Sequence, residues 1–195
     1  MSKEKSTSSK NKRVGRQRAA SERRRPAPHG GMPVMELILA AMDPANSTAQ
    51  RQGDSPTGRV VAAAAHADAD ENGTDRIFLL ASGAATAATV LALALAEQAE
   101  QTVDGLLREL EAVAAQRGTK LNTVPVIRAL LVDQSSGGEV LGATFARDQG
   151  EFFTLITELA DFAATCIVLR EARFGTPVAE TLDDLDEMLK DFTEA

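Results

Sequence analysis

The chain has 195 residues, a formal net charge of −7, two His, one Cys, and neither Trp nor Tyr. This length fits one ordinary domain, and a single cysteine excludes an intrachain disulfide. Because so few His, Cys and Lys side chains lie outside the N-terminal segment, acid–base chemistry would depend mainly on carboxylates. This composition favours a non-enzymatic protein over a small enzyme of unknown chemistry.

Charge is divided unevenly along the chain. Residues 1–30 carry ten Lys and Arg against two Glu, whereas the rest of the chain is strongly acidic. Residues 1–31 also lack apolar periodicity and are rich in Ser and Pro, which predicts a disordered basic tail. We expect its cations to bind nucleic acid or another polyanion, with a purely solubilising role as the alternative. The predicted contact residues are Lys3, Lys5, Lys10, Lys12, Arg13, Arg16, Arg18, Arg23, Arg24 and Arg25.

The tail contains no aromatic side chain on which a base could stack. Contact with nucleic acid would therefore be made through phosphates and without sequence preference. The N-terminus is basic but is not followed by an apolar segment, so no secretory signal is predicted. With one cysteine, these features predict a cytoplasmic protein.

Residues 32–58 are predicted to form a short helix and a polar loop. The helix covers residues 34–42 and is stopped by Asp43-Pro44. The loop, residues 45–58, is rich in Ser, Thr, Asn and Gly.

A first β-hairpin is predicted from residues 59–66 and 76–81, with Asn72-Gly73 between them as the turn. The first of these segments is rich in Ala, a poor strand former, so a helix is the alternative there. The uncharged residues 77–96 are long enough to span a membrane. Their many Ala and small polar residues instead favour a buried strand followed by a core helix.

The turn region also resembles the first half of a calcium-binding loop. Asp68, Asp70 and Asn72 stand at the first, third and fifth positions, and Gly73 stands at the sixth. The position of the last, bidentate carboxylate is Leu79, which cannot bind the ion. The pattern therefore predicts at most a weak Ca²⁺ site, with a plain acidic loop as the alternative.

A second hairpin is predicted from residues 126–132 and 139–145 around Ser135-Ser136-Gly137-Gly138, because β-branched residues and a Gly-Gly turn favour strands. A helix starting at Thr123, with Pro125 in its first turn, is the alternative.

Long helices are predicted over residues 84–116 and 151–173, stopped by Gly118 and Gly175. Gly105 could divide the first of them. In the second, Glu158 and Asp161 lie three residues apart and away from the apolar stripe, as expected for a solvated face. Cys166 has apolar neighbours, which favours a small buried side chain over a reactive thiol.

A C-terminal amphipathic helix follows Thr176-Pro177. Its apolar seam is predicted to pack against the body or against a second copy of the chain. The seam residues, treated as a candidate interface, are Leu182, Leu185, Leu189 and Phe192.

These elements predict an α+β fold: two β-hairpin/helix units form a small antiparallel sheet covered by long helices, followed by the C-terminal helix. An all-α bundle is the alternative. The predicted organisation is a tail at 1–31, a short helix and loop at 32–58, and a single domain at 59–195.

The predicted function is that of an interaction or adaptor protein. The basic arm docks on an acidic surface, away from membranes, while the acidic body mediates protein contacts or dimerisation. An ion- or small-ligand-binding module that uses Asp68, Asp70 and Asn72 is the alternative.

Overall fold

All regular structure in the described residues is helical. The structure is a computed structural model that describes residues 33–49 and 52–194, with the backbone alone for residues 52 and 191–194. In this range there are nine α-helices, a short 3-10 helix at Gln52–Asp54, and no strand. The α-helices are α1 (Pro33–Met42), α2 (Pro44–Thr48), α3 (Pro56–Glu71), α4 (Asp75–Gln98), α5 (Val103–Gln116), α6 (Val124–Val132), α7 (Gln134–Arg147), α8 (Gln149–Phe174) and α9 (Val178–Glu194).

The prediction of an α+β fold is therefore wrong, and the all-α alternative is correct for this part of the chain. The first predicted hairpin is the helix pair α3–α4. Ser55 caps α3 by accepting a hydrogen bond from the Gly58 N–H (3.0 Å), and Pro56 stands in the first turn. Asn72 has a left-handed conformation (φ 55°), but it ends a helix instead of joining two strands.

The second predicted hairpin is the helix pair α6–α7, as the alternative reading of Thr123 and Pro125 indicated. Gly137 does not form a turn. It lies in α7 against the side chain of Leu130 in α6, where a Cβ atom would overlap that side chain. The glycine that suggested a turn thus allows two helices to approach closely.

The helix ends at glycine were predicted correctly. α5 is followed by Gly118 (φ 71°), and α8 ends at Gly175 (φ 73°). The first long helix is divided, but at residues 99–102 and not at Gly105. Thr102 caps α5 there by accepting a hydrogen bond from the Gly105 N–H (3.1 Å). The predicted loop at 45–58 was partly wrong, since it contains α2, the 3-10 turn and the start of α3.

Helices α4 and α8 form the centre of the body. They pack against each other more extensively than any other pair, and α1, α3, α7 and α9 contact both. The inner face of α4 consists largely of small side chains, which allow close helix packing. Six alanines of α4 are 0 % exposed: Ala81, Ala84, Ala85, Ala87, Ala88 and Ala92.

Helix α1 belongs to the same hydrophobic core as α4 and α8. Leu37 and Ile38 of α1 are 0 % exposed. Val34 of α1 packs onto Gly83 of α4, and its side chain fills the space that a Cβ at Gly83 would need.

Helices α4 and α8 are also long and apolar enough to cross a membrane, judged by length and composition alone. In each, 61 % of the apolar window is buried inside the body. A helix that is apolar on most faces is expected both in membranes and in the centre of a protein core. The predicted strand at the start of residues 77–96 is wrong, whereas the predicted core helix is present.

Candidate functional site

The candidate site is built around a pair of carboxylates on α8, Glu158 and Asp161. Asn122, in the loop before α6, donates a hydrogen bond from Nδ2 to Glu158 Oε1 (3.3 Å). Asn46 of α2 donates from Nδ2 to Asp161 Oδ1 (2.8 Å). Each carboxylate therefore accepts a hydrogen bond from one neutral side-chain amide, and the two amides come from different, distant segments of the chain.

Asn46 is itself held in place by α3. Its Oδ1 accepts hydrogen bonds from the Thr57 hydroxyl (2.7 Å) and from the Thr57 N–H (3.3 Å). Thr57 is 2 % exposed. The amide that faces Asp161 is thus fixed by a buried threonine in the first turn of α3.

Burial raises the pKa of Glu158, and the hydrogen bond from Asn122 opposes this shift only in part. The pKa of Asp161 is also raised, first by desolvation and then by the charge of Glu158, against the hydrogen bond from Asn46. In the described part of the chain, neither carboxylate forms a salt bridge with Lys or Arg. Glu158 is half-buried and Asp161 is exposed, and neither has a direct counter-charge among the described residues.

Two oxygens near this pair lack hydrogen bonds within the described residues. Glu158 Oε2 and Thr123 Oγ1 are both buried without a partner. Thr123 precedes α6, is 1 % exposed, and makes no side-chain capping bond to that helix. Most buried polar atoms in proteins are paired, so two unpaired oxygens in one region are informative.

Both residues line a cavity of about 350 Å³ between α5, residues 117–123 and α8, which we call the Glu158 cavity. Its lining combines apolar and polar side chains. Its apolar lining is Leu110, Val113, Ala114, Leu121, Phe162 and Cys166; its polar lining is Arg117, Thr119, Lys120, Asn122, Thr123, Glu158, Asp161 and Thr165. This volume lies near the lower end of the range for small-molecule sites.

Cys166 in this wall is buried and reduced. Desolvation raises the pKa of its thiol to about 12, although the charge of Arg170 opposes the shift. A thiol with such a pKa is a poor nucleophile at neutral pH. The prediction that Cys166 is a small buried side chain is confirmed, since it is 0 % exposed.

A larger groove of about 590 Å³ adjoins the cavity and shares Lys120, Asn122 and Glu158 with it. Its far wall contains Arg147 and Glu151, which form an ion pair (2.6 Å). The charges of Arg147 and Glu151 compensate each other. Glu158, the other carboxylate of the groove, has no ionic partner among the described residues.

A third cavity, about 320 Å³, lies where α3 meets the start of α8. His66 is in its wall, together with Val61 and Phe153, and most of the remaining lining is Gly, Ala and Thr. His66 is itself exposed. The one histidine outside the tail thus borders a mainly apolar depression and is not joined there by a carboxylate or a cysteine.

The structure places the predicted calcium-binding residues around the end of α3. Asp68 is 4 % exposed, and its carboxylate accepts hydrogen bonds from the Arg76 N–H (3.0 Å) and the Ile77 N–H (2.8 Å). Asp70 and Asn72 are exposed. Within the described residues, no group of three or more His, Cys, Asp or Glu side chains could hold a metal. The weak Ca²⁺ site stays a prediction, and a ligand role for Asp68 would compete with its capping of α4.

The predicted interface residues of α9 lie mainly in the chain's own core. Leu182, Leu185 and Leu189 are 7 %, 1 % and 1 % exposed. The side chain of Phe192 lies outside the described residues. Packing of the seam against the body was one of the two expected arrangements, and dimerisation through the same seam stays a prediction.

The ten basic residues predicted to bind a polyanion all lie between Lys3 and Arg25, outside the described residues. Their role remains a prediction from charge.

Only some of the residues of the Glu158 cavity could be identified as notable from the sequence. The spacing of Glu158 and Asp161 identified them as neighbours on one helix face and predicted that this face is solvated; Asp161 is exposed, whereas Glu158 is half-buried. Asn46, Asn122 and Thr123 gave no signal, since each resembles an ordinary loop or capping residue.

Comparison with known proteins does not assign this chain to a family: no protein-family model matches it, and neither curated proteins nor solved structures gave a significant match.

Proposed function

We propose that this protein is a non-enzymatic interaction protein. Its basic N-terminal segment docks on nucleic acid or a comparable polyanion, and its acidic helical body contacts protein partners. The observation that carries the proposal is the division of charge, with ten cations in the first 30 residues and a strong excess of acids in the rest. A cationic segment is attracted to a polyphosphate, whereas an acidic body is repelled by it.

The C-terminal helix supports this role for the body. Glu180, Asp183, Asp184 and Glu187 of α9 are exposed, whereas Leu185 and Leu189 point into the core. Asp186, on the buried side, forms an ion pair with Lys190 (2.6 Å). An acidic surface of this kind would keep the body away from a polyanion and leave it accessible to protein partners.

We also propose that the protein acts in the cytoplasm and away from membranes. The support is the packing of α4 and α8 against each other in the centre of the body, where more than half of each apolar window is buried. Extraction of the full chain into the detergent phase would contradict this part of the proposal.

The test is binding of the full chain to duplex DNA and to heparin over a range of salt concentrations. If six to eight cations engage phosphates, the slope of log affinity against log salt should be about −5 to −7. A variant with the ten Lys and Arg of residues 3–25 changed to Gln keeps the chain length but removes these charges. We expect it to lose binding.

The matched control changes three exposed cations of the body, Arg117, Lys120 and Arg173, to Gln. This control should bind DNA as the full chain does. Equal binding by the tail variant, or loss of binding in the body control, would refute the docking role of the segment.

A further inference from the structure

We infer that the Glu158 cavity is a binding site for a small organic amine, in which the ammonium group lies at Glu158 and Thr123 and an apolar tail lies along Leu110, Val113 and Phe162. This function is separate from docking through the N-terminal segment. It rests on the cavity, on two unpaired oxygens of residues that line it, and on a lining that combines polar and apolar side chains.

The unpaired oxygens indicate what the ligand must supply. Glu158 Oε2 and Thr123 Oγ1 can each accept a hydrogen bond, and neither receives one from the described residues. Asn122 holds the other oxygen of Glu158 at 3.3 Å, which is long for a hydrogen bond and easily exchanged for a stronger one. An ammonium group brings three N–H donors and is therefore well suited to this wall.

The charge of the site favours a cation over a neutral donor. Glu158 and Asp161 have amides as hydrogen-bond partners and no Lys or Arg in ion-pair contact among the described residues. Burial raises the pKa of Glu158, so the charged form lacks stabilisation that a bound cation would provide. A charge-assisted bond in a partly desolvated site is stronger than the same bond at the surface.

The two cations in the same wall do not reverse this preference. Lys120 and Arg117 are both exposed, so water and salt screen their charges. They nevertheless make an anionic ligand the rival that the experiment must exclude.

The apolar side chains of the lining require that the amine carry a hydrocarbon group. Phe162 is 7 % exposed, whereas Val113 is 41 % exposed although both line the cavity. An alkyl chain laid along this surface would cover Val113, and burying apolar surface is favourable. A bare ammonium ion would leave it uncovered.

The probe is hexylammonium, compared with hexanol and hexanoate, which have the same tail but a neutral or an anionic head. Binding to the full chain is measured from amide chemical shifts by NMR. We expect hexylammonium to bind with a dissociation constant on the order of 1 mM, with the largest shifts at residues 119–123 and 158–162. Hexanol should bind at least about tenfold more weakly, and hexanoate more weakly still.

Two variants test the residues. Glu158→Gln removes the charge with little change of shape and should weaken hexylammonium binding about tenfold or more. Thr123→Val replaces an unpaired buried hydroxyl with a methyl group; it breaks no capping bond and should weaken binding a fewfold without loss of folding. The control, Glu171→Gln, makes the same change at an exposed position of α8 outside the cavity and should bind as the wild type does.

Equal binding of hexylammonium and hexanol, or stronger binding of hexanoate, would overturn the inference. So would unchanged affinity in both Glu158→Gln and Thr123→Val, or shifts confined to other parts of the protein. Thr123→Val by itself can show the loss of hexylammonium binding. The test therefore remains decisive even if Glu158→Gln does not fold.

Discussion

The carboxylate of Asp68, at the end of α3, accepts a hydrogen bond from the Ile77 N–H in the first turn of α4 (2.8 Å). Its second oxygen accepts one from the Arg76 N–H (3.0 Å). The first N–H groups of a helix have no partner within that helix. One buried side chain therefore satisfies two of them and links the end of α3 to the start of α4.

We predict that Asp68→Ala lowers the free energy of unfolding by about 1–2 kcal/mol, because two amides of α4 lose their acceptor. Urea denaturation measures this change. Asp70→Ala, an exposed change two residues away, is the control and should have little effect. The same pair tests the weak Ca²⁺ site: if Asp68 binds the ion, added Ca²⁺ should raise the melting temperature of the wild type but not of Asp68→Ala.

A second prediction concerns the contact between α6 and α7. Gly137→Ala places a Cβ where the Leu130 side chain lies, and such overpacking costs about 1–3 kcal/mol. Gly138→Ala, at the next position of the same helix, meets no atom within 4 Å and should gain up to about 1 kcal/mol from helix propensity. Thermal unfolding of the two variants compares them directly. If Gly137→Ala is as stable as Gly138→Ala, the helices are not in close contact there.

A third prediction uses the pH dependence of stability. The pKa of Glu158 is raised by burial in the folded chain, so the folded state holds the proton more tightly than the unfolded state does. This contribution to stability is fully present below the ordinary glutamate pKa, about 4.3, and is lost as the pH rises through the higher folded pKa.

Glu158→Gln does not titrate at this position. Relative to the wild type, it should therefore gain stability as the pH rises from about 4 to 7. Denaturation at several pH values measures the difference, and Glu171→Gln at an exposed site should show no comparable trend. If the stability of Glu158→Gln relative to the wild type instead falls as the pH rises, the folded protein stabilises the charged form of Glu158.

The fourth prediction separates the two roles considered for α9. Leu185 is 1 % exposed in the chain's own core, so Leu185→Ala should cost about 2–5 kcal/mol while the oligomeric mass remains the same. Thermal denaturation and light scattering provide the two measurements. Glu187→Ala, on the exposed side of the helix, is the control. A change of mass without a loss of stability would indicate that the seam belongs to an interface between copies.

The sequence predicted helices most accurately where their ends carry a specific signal. Gly118 and Gly175 marked helix ends because few other residues adopt a positive φ at low cost, and the Pro-containing start at Thr123 offered a correct alternative. The errors arose where a local pattern had two meanings. Asn72-Gly73 suits a hairpin turn as well as a helix end, and only the partners across the core decide between them.

Three β-branched residues, Val124, Val126 and Ile127, show the same ambiguity. Val124, Val126 and Ile127 favour strands by propensity, but they are 0–1 % exposed in the helical core, and their burial outweighs a preference of less than about 1 kcal/mol per residue. The cavity was still less predictable. Asp161 is hydrogen-bonded to Asn46, 115 residues away along the chain, and Glu158 to Asn122, 36 residues away. Helical periodicity predicts only contacts between residues that are close in sequence, so it could not reveal these pairs.

The contact of Val34 with Gly83 also constrains how the sequence can change during evolution. Position 83 has no room for a side chain while valine occupies position 34, so a larger residue at 83 requires a smaller one at 34. The two positions are therefore expected to vary together, although 49 residues separate them. The residues that are tolerated at either position therefore depend on the residue at the other.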